Sequence, residues 1–225
     1  MKNITFKMLL SFILVVGVSF TSMAGKKKVL VSCSESDAAI YSNGIKVGTG
    51  QAEIIVLSKS CVTVNIKKTG YLDIEETICN KKGFPKPPKT KYFEMITDPA
   101  WDASVQTDMA NTDIEVQLNT DRSEIDSWKI LNQIITNYFD VIEISDRETG
   151  YLRTAWNLHT FDNASVRTRL IIKIGTLEPL SYKVKLVSEI AGPGTSVKSD
   201  HLFAEWDRVL RTYETVIGQI TSRLK

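Results

Sequence analysis

Six cations in the second half of the chain alternate with apolar or small residues, and they are the residues whose spacing best suits a chemical task. Arg153 falls among Leu152, Thr154, Trp156 and Leu158. Arg167, Arg169 and Lys173 fall among Val166, Thr168, Leu170, Ile172 and Ile174, and Lys183 and Lys185 fall among Leu180, Tyr182, Val184 and Leu186. Successive side chains of a strand point to opposite faces, so three such strands would bury one face and gather positive charge on the other. A patch of this kind would engage an anionic glycan, a lipid headgroup or an acidic protein. The same pattern also describes a solvated sheet face whose charges pair with Glu115 and Glu143 on neighbouring strands. Both readings stay open at this level.

No catalytic constellation accompanies these cations. His159 and His201 fall on different elements and in no nucleophile motif. Asp140, Glu143, Asp146 and Glu148 are numerous enough for a glycosidase pair, but they bracket one strand and its turn, where solvated charge is normal. No G-x-S-x-G, H-E-x-x-H, G-x-G-x-x-G or phosphate-loop pattern occurs. Cysteine and histidine spacing suggests neither a metal site nor a cofactor. The expectation is a protein that is not an enzyme. Asn163-Ala164-Ser165 matches a glycosylation sequon.

The elements that would position the patch begin after a leader. Lys2 and Lys7 precede an apolar run over Met8–Phe20, and Ser22-Met23-Ala24 supplies small residues for cleavage. This reads as a secretory signal peptide over residues 1–24, too short for the ~20 apolar residues of a membrane span. Leu30-Val31-Ser32-Cys33 resembles a lipoprotein box, but three lysines separate it from the apolar run, so Val29–Cys33 reads instead as a first strand. Cleavage near Ala24 places the chain in the periplasm or at the cell surface. It also removes two lysines, which takes the net charge of +2 to zero. Export and neutrality together argue against a nucleic-acid partner. Three cysteines remain in an oxidising compartment. Cys61 and Cys79 flank a hairpin turning near Thr69-Gly70, a spacing that suits either a disulfide or two buried thiols.

The 225 residues are 43% hydrophobic, 24% charged and 8% aromatic, enough for one large or two small cores. Charge divides them. Residues 25–97 hold 12 lysines against 7 acids, whereas residues 98–225 hold 14 basic residues against 19 acids. This shift predicts a module over 25–97, a polar linker over 98–112 and a second module over 113–225.

The first module reads as short strands at Val29–Ser32, Ala39–Tyr41, Ile45–Val47, Glu53–Leu57, Val62–Ile66, Tyr71–Ile78 and Tyr92–Ile96, with a tight turn at Asn43-Gly44. The segment from Ala38 to Gly50, with Tyr41, Asn43-Gly44 and Gly48 at fixed offsets, resembles a PEGA domain, as does the later Gly70-Tyr71 pair. Glu35-Ser36-Asp37-Ala38 keeps only the alanine of that family's name-giving tetrapeptide. The resemblance implies a small β-sandwich that serves as a binding or spacer module of exported proteins.

The second module reads as α+β. A strand at Ile114–Leu118 precedes a helix opened by the box Asp121-Arg122-Ser123-Glu124, with Ile125, Trp128, Leu131, Ile134, Ile135 and Tyr138 on one face. Strands follow at Val141–Ser145, Leu152–Thr160, Val166–Ile174 and Leu180–Ile190. A long closing helix is then predicted from Ser199 or Asp200, with rows Leu202, Trp206, Val209, Tyr213, Val216, Ile220 and Phe203, Leu210, Ile217, Leu224. The order β-α-β-β-β-β-α, with Asp146-Arg147-x-x-Gly150-Tyr151 after the helix, is similar to the helix-grip modules of the C lipoprotein of the outer-membrane β-barrel assembly machine.

Taken together, the sequence predicts an all-β sandwich followed by an α+β helix-grip-like domain. The expected role is a scaffold or adaptor for an envelope protein or anionic glycan, with peripheral membrane contact open. The competing expectation is a carbohydrate-binding module, with Tyr151 and Trp101 as the aromatic candidates for stacking on sugar.

Overall fold

The computed structural model describes residues 25–225, so the leader reading lies outside the described residues. The fold is rich in β-structure with few helices. Its first half holds seven strands: β1 (Lys27–Cys33), β2 (Ala39–Ser42), β3 (Ile45–Thr49), β4 (Gln51–Val56), β5 (Cys61–Lys67), β6 (Ile74–Cys79) and β7 (Thr90–Phe93). They follow the order β6-β5-β2-β3-β4-β1-β7, antiparallel throughout except where β7 runs alongside β1. The period-two pattern decides which residues go inside. Ala52, Ile54 and Val56 of β4 and Val62, Val64 and Ile66 of β5 are buried with Val29, Val31, Ile40 and Phe93 in a core of their own. Burying each valine or isoleucine contributes about 2 kcal/mol. Asn43 and Gly44 both take positive φ, as a tight I′ turn between β2 and β3 requires.

The stretch expected as a linker is built into the second half. Asp98 caps a short helix α1 (Pro99–Asp102), its Oδ1 accepting from the backbone N–H of Ala100 and Trp101. Strand β8 (Ser104–Gln106) follows at once.

The second half continues with β9 (Asp113–Gln117), α2 (Glu124–Ile135), β10 (Ile142–Asp146), β11 (Tyr151–Thr154), β12 (Asn157–Thr160), β13 (Ser165–Leu177) and β14 (Leu180–Ala191). Beyond them lie β15 (Ala204–Glu205), β16 (Arg208–Leu210) and α3 (Val216–Leu224). The long hairpin β13–β14 is the spine of the sheet, with β10 and β11 on one side, β9 and β15 on the other, and β12 also along β13. Trp128, Leu131, Ile134 and Ile135 of α2 and Val216, Ile217, Ile220 and Leu224 of α3 share one core with Leu152, Leu170, Ile172, Tyr182, Val184 and Leu186. Burial pushes the Tyr182 hydroxyl up to about 12, so it stays neutral in that core.

Three local expectations are corrected. Helix α2 is capped by Ser123, whose Oγ accepts from the Asp126 N–H, and not by Asp121; Ile125 is exposed. The strand expected over Leu152–Thr160 breaks at Ala155-Trp156, where the Ala155 N–H turns to the Val141 carbonyl. The long closing helix does not form either. Asp200–Leu202 is a 3-10 turn, Ala204–Glu205 and Arg208–Leu210 are extended, and only Val216–Leu224 is α-helical. Tertiary pairing wins over periodicity here, because β16 has β8 to pair with and β15 has β14. Leu202, which heads the predicted apolar row, is exposed.

Candidate functional site

The β13–β14 register fixes which cations share a face. Arg167 stands opposite Glu189, Arg169 opposite Val187, Ile171 opposite Lys185, and Lys173 opposite Lys183, while Arg153 of β11 stands opposite Ile171. All six predicted cations therefore lie on the face away from the helices, in two groups. Arg169 and Lys173 are four residues apart, which is about 13 Å along a strand.

In the lysine group, Lys173 lies 2.8 Å and Lys185 3.8 Å from the Asp113 carboxylate. The hydrogen bond from Lys173, aided by the nearby lysine charges, holds Asp113 below the usual carboxylate range. Lys183 faces Glu115 in register, and Glu115 accepts from Ser181 Oγ at 2.8 Å.

The arginine group is organised around a ring. The Arg167 guanidinium carbon is 4.1 Å from the centre of Trp156 and 4.1 Å from that of Phe203. That of Arg169 is 4.0 Å from Trp156. Arg167 is only 3% exposed. It donates to Glu189 (2.7 Å), to Asp200 (2.6 Å) and to the Val197 carbonyl (2.7 Å). It is a satisfied buried cation. Arg153 donates to Glu143 at 3.1 Å, one of the sheet-face pairs expected if the charges are simply solvated and matched. Arg169 differs from both. Among the described residues no carboxylate pairs with it, and its Nε is buried without an acceptor. Burial is the main cause that draws its pKa below the usual guanidinium value, with the Arg153 charge acting in the same direction.

Arg169, Arg153 and Trp156 open onto a cleft of about 430 Å³ whose other walls include Glu143, Val197, Lys198 and Asp200. A planar, desolvated guanidinium lacking a counter-charge at such an opening suits a carboxylate, sulfate or phosphate oxygen. The alternation did not show Trp156 here. It assigned Trp156 and Leu158 to the face of Leu152, whereas the break at Ala155 reverses the parity, and Leu158 stands opposite Arg167. No local signal marks that reversal. Phe203 was equally hidden, having been placed in a helix.

The remaining candidates are spread out. His159 packs its ring 4.7 Å from Phe161, and His201 is exposed in the 3-10 turn. Asp146 accepts from the backbone N–H of Glu148 and Thr149, which holds its own turn, and the Thr149 side chain, followed by these backbone bonds, keeps its carboxyl below the usual range. Trp101 is half-buried, with the Arg208 guanidinium 3.6 Å from its ring centre and the Gly70 turn against its edge. Tyr151 is half-buried at the start of β11. Asn163 of the sequon donates from Nδ2 to Asp98 at 2.8 Å, which occupies the atom a glycan would need. Cys61 and Cys79 form a disulfide across the end of β5 and β6. Among the described residues, no group of three or more His, Cys, Asp or Glu side chains could hold a metal ion, and no helix is long and apolar enough to cross a membrane.

No family model matches this chain, and no curated protein matches it.

Proposed function

We propose that this is an exported, non-enzymatic adaptor that binds an acidic group of another envelope component through the Arg153–Trp156–Arg169 cleft. In this reading the PEGA-like first half acts as a sandwich-type spacer, and the helix-grip-like second half carries the contact. The disulfide suits the oxidising compartment that export implies. The observation that carries the reading is Arg169. It is stacked on Trp156, stripped of water at Nε, lacks a carboxylate partner, and borders an open cleft. Structural arginines are normally paired, as Arg167 is, so an unpaired one at an opening is a feature that an incoming anion would complete.

The experiment is affinity capture from solubilised envelope, comparing the parent with an Arg153→Glu/Arg169→Glu variant. Captured protein and uronic-acid content are measured separately. Arg167 is left untouched because its loss would disturb the fold. A component held by the parent and lost by a folded variant supports the adaptor role and says whether the acidic group is protein or glycan. Identical captures return the cleft to ordinary sheet surface.

A further inference from the structure

One pole of the first half gathers lysines, and the nearest carboxylate of its loop pocket, Glu76, is paired with Lys91. Lys26 and Lys27 lie at the head of β1, Lys59 in the β4–β5 turn, and Lys81, Lys82 and Lys86 in the loop after β6. Hydrogen bonds draw these segments together. Asn80 donates from Nδ2 to the Gly25 and Val56 carbonyls, and its backbone pairs with Lys59 and Ser60. The disulfide between Cys61 and Cys79 fastens the same end. All six lysines are exposed, and no ion pair engages any of them among the described residues. Residues 25–27, 57–60 and 79–89 contain no Asp or Glu.

Two apolar side chains stand out among these lysines. Phe84 is 51% exposed and Leu57 53% exposed, and the Lys81 ammonium lies 4.5 Å from the Phe84 ring centre. Pro85, Pro87 and Pro88 follow Phe84, which stiffens the loop that presents it. The second half attaches at the opposite end of the β5–β6 hairpin, through Gly70, roughly 20 Å away along the strands. The basic pole is therefore free of that attachment.

We propose that this pole is a peripheral docking site for an anionic phospholipid surface. Clustered lysines supply attraction to acidic headgroups, while Phe84 and Leu57 are placed to enter the headgroup–acyl boundary. The site is on the other half of the molecule from the arginine cleft and does not depend on its function.

The test uses the chain from Gly25, which contains every residue of both cores, in co-sedimentation with two vesicle types. One is pure phosphatidylcholine and the other contains about 30% phosphatidylglycerol. Binding is expected to the anionic vesicles alone and to be lost in about 0.5 M salt. Each lysine near an acidic surface contributes about fivefold in partition. Lys59→Glu/Lys81→Glu/Lys82→Glu should therefore bind on the order of 100-fold more weakly or worse. Phe84→Ser should lose several-fold with its charge intact. Equal binding to both vesicle types would overturn the proposal. So would unaltered binding by the lysine variant with its far-UV circular dichroism intact, or binding to soluble dextran sulfate without binding to vesicles.

Discussion

The Arg208 guanidinium lies 3.6 Å from the centre of the Trp101 ring, and it donates to the carbonyls of both Trp101 and Ser104. Its Nε also donates to Ser104 Oγ at 2.8 Å. One buried cation thus closes the α1–β8 segment onto β16, while the other side of the seam belongs to the first half. The Asp98 N–H donates to the Gly70 carbonyl, and Tyr71 bridges to Thr97. Trp101 thus lies between the Arg208 guanidinium and the Gly70 turn of the first half.

Removing that cation should be costly. Arg208→Met strands the Ser104 carbonyl and takes a donor from Ser104 Oγ and from the Trp101 carbonyl, which keeps its bond from Ser104 Oγ, a loss of about 2–4 kcal/mol. The thermal midpoint should fall by roughly 5–12 °C in calorimetry. Arg208→Lys keeps the charge but offers its donors from one nitrogen in place of the planar fork that reaches Ser104 and Trp101, so it should fall in between. If Arg208→Met melts with the parent, the network is not a structural tie.

Gly70 should be intolerant of a side chain. Its φ is +82°, and an added Cβ would meet Trp101 Nε1 at 3.0 Å and Cδ1 at 3.1 Å. Gly70→Ala combines about 1–2 kcal/mol of backbone strain with displacement of the indole. Faster proteolysis between residues 96 and 100 and a red-shifted tryptophan emission are expected. Unchanged cleavage would mean that the ring can move without loosening the seam.

The three arginines of the sheet face should separate by role. Arg167→Ala strands Glu189 and empties the space between Trp156 and Phe203, costing about 3–5 kcal/mol in urea unfolding. Arg169→Ala breaks no ion pair, so only its stacking on Trp156, about 0.5–1 kcal/mol, should be lost. Comparable losses for the two would remove the distinction on which the cleft reading rests.

This separation explains what the sequence could and could not disclose. Strand alternation placed all six cations on one face, because parity is a local property of β13 and β14. It could not separate Arg167 from Arg169, since Glu189, Asp200 and Phe203 reach them from distant segments. It also misplaced Trp156, whose face depends on the break at Ala155-Trp156. The first half was legible strand by strand, since its apolar and polar residues alternate and Asn43-Gly44 marks its turn. The closing segment was not. Val209 and Leu210 keep a helix-like spacing with Tyr213 and Ile217, but β8 offers an edge to pair with and the Arg208 network rewards extension there. A spacing rule carries no information about such a neighbour.

Acid should weaken the second half in part through Asp113. Its pKa is held below the ordinary 3.8, chiefly by the hydrogen bond from Lys173 and then by lysine charges. A carboxyl depressed in the folded state adds stability above its unfolded pKa and loses it as pH falls through the folded value. The window therefore opens near 3.8 and runs downward. Asp113 is partly exposed, so the contribution should stay under about 1 kcal/mol. Asp113→Asn should be slightly less stable than the parent near neutral pH and converge with it in strong acid. Urea midpoints collected across that range measure the difference, and a constant gap at all pH values would exclude Asp113 as a source.

The disulfide and the third cysteine make a counting prediction. Cys61 and Cys79 are the terminal register pair of β5 and β6, and their bridge spans 18 residues of sequence. Closing a loop of that size contributes about 3 kcal/mol through the unfolded chain. Cys61→Ser/Cys79→Ser should lose about that much and expose the Lys81–Lys86 loop to protease, since the bridge fastens the end from which the loop springs. Cys33 sits at the end of β1 with its Sγ 3.2 Å from the Glu35 carbonyl, and burial raises its pKa, which keeps it a poorly reactive thiol. A thiol reagent should therefore find one slow group in the folded protein from Gly25, one fast group in urea, and three after reduction. Three reactive thiols in urea before reduction would show that the bridge does not form, and the basic pole would then have to be held by the Asn80 hydrogen bonds alone.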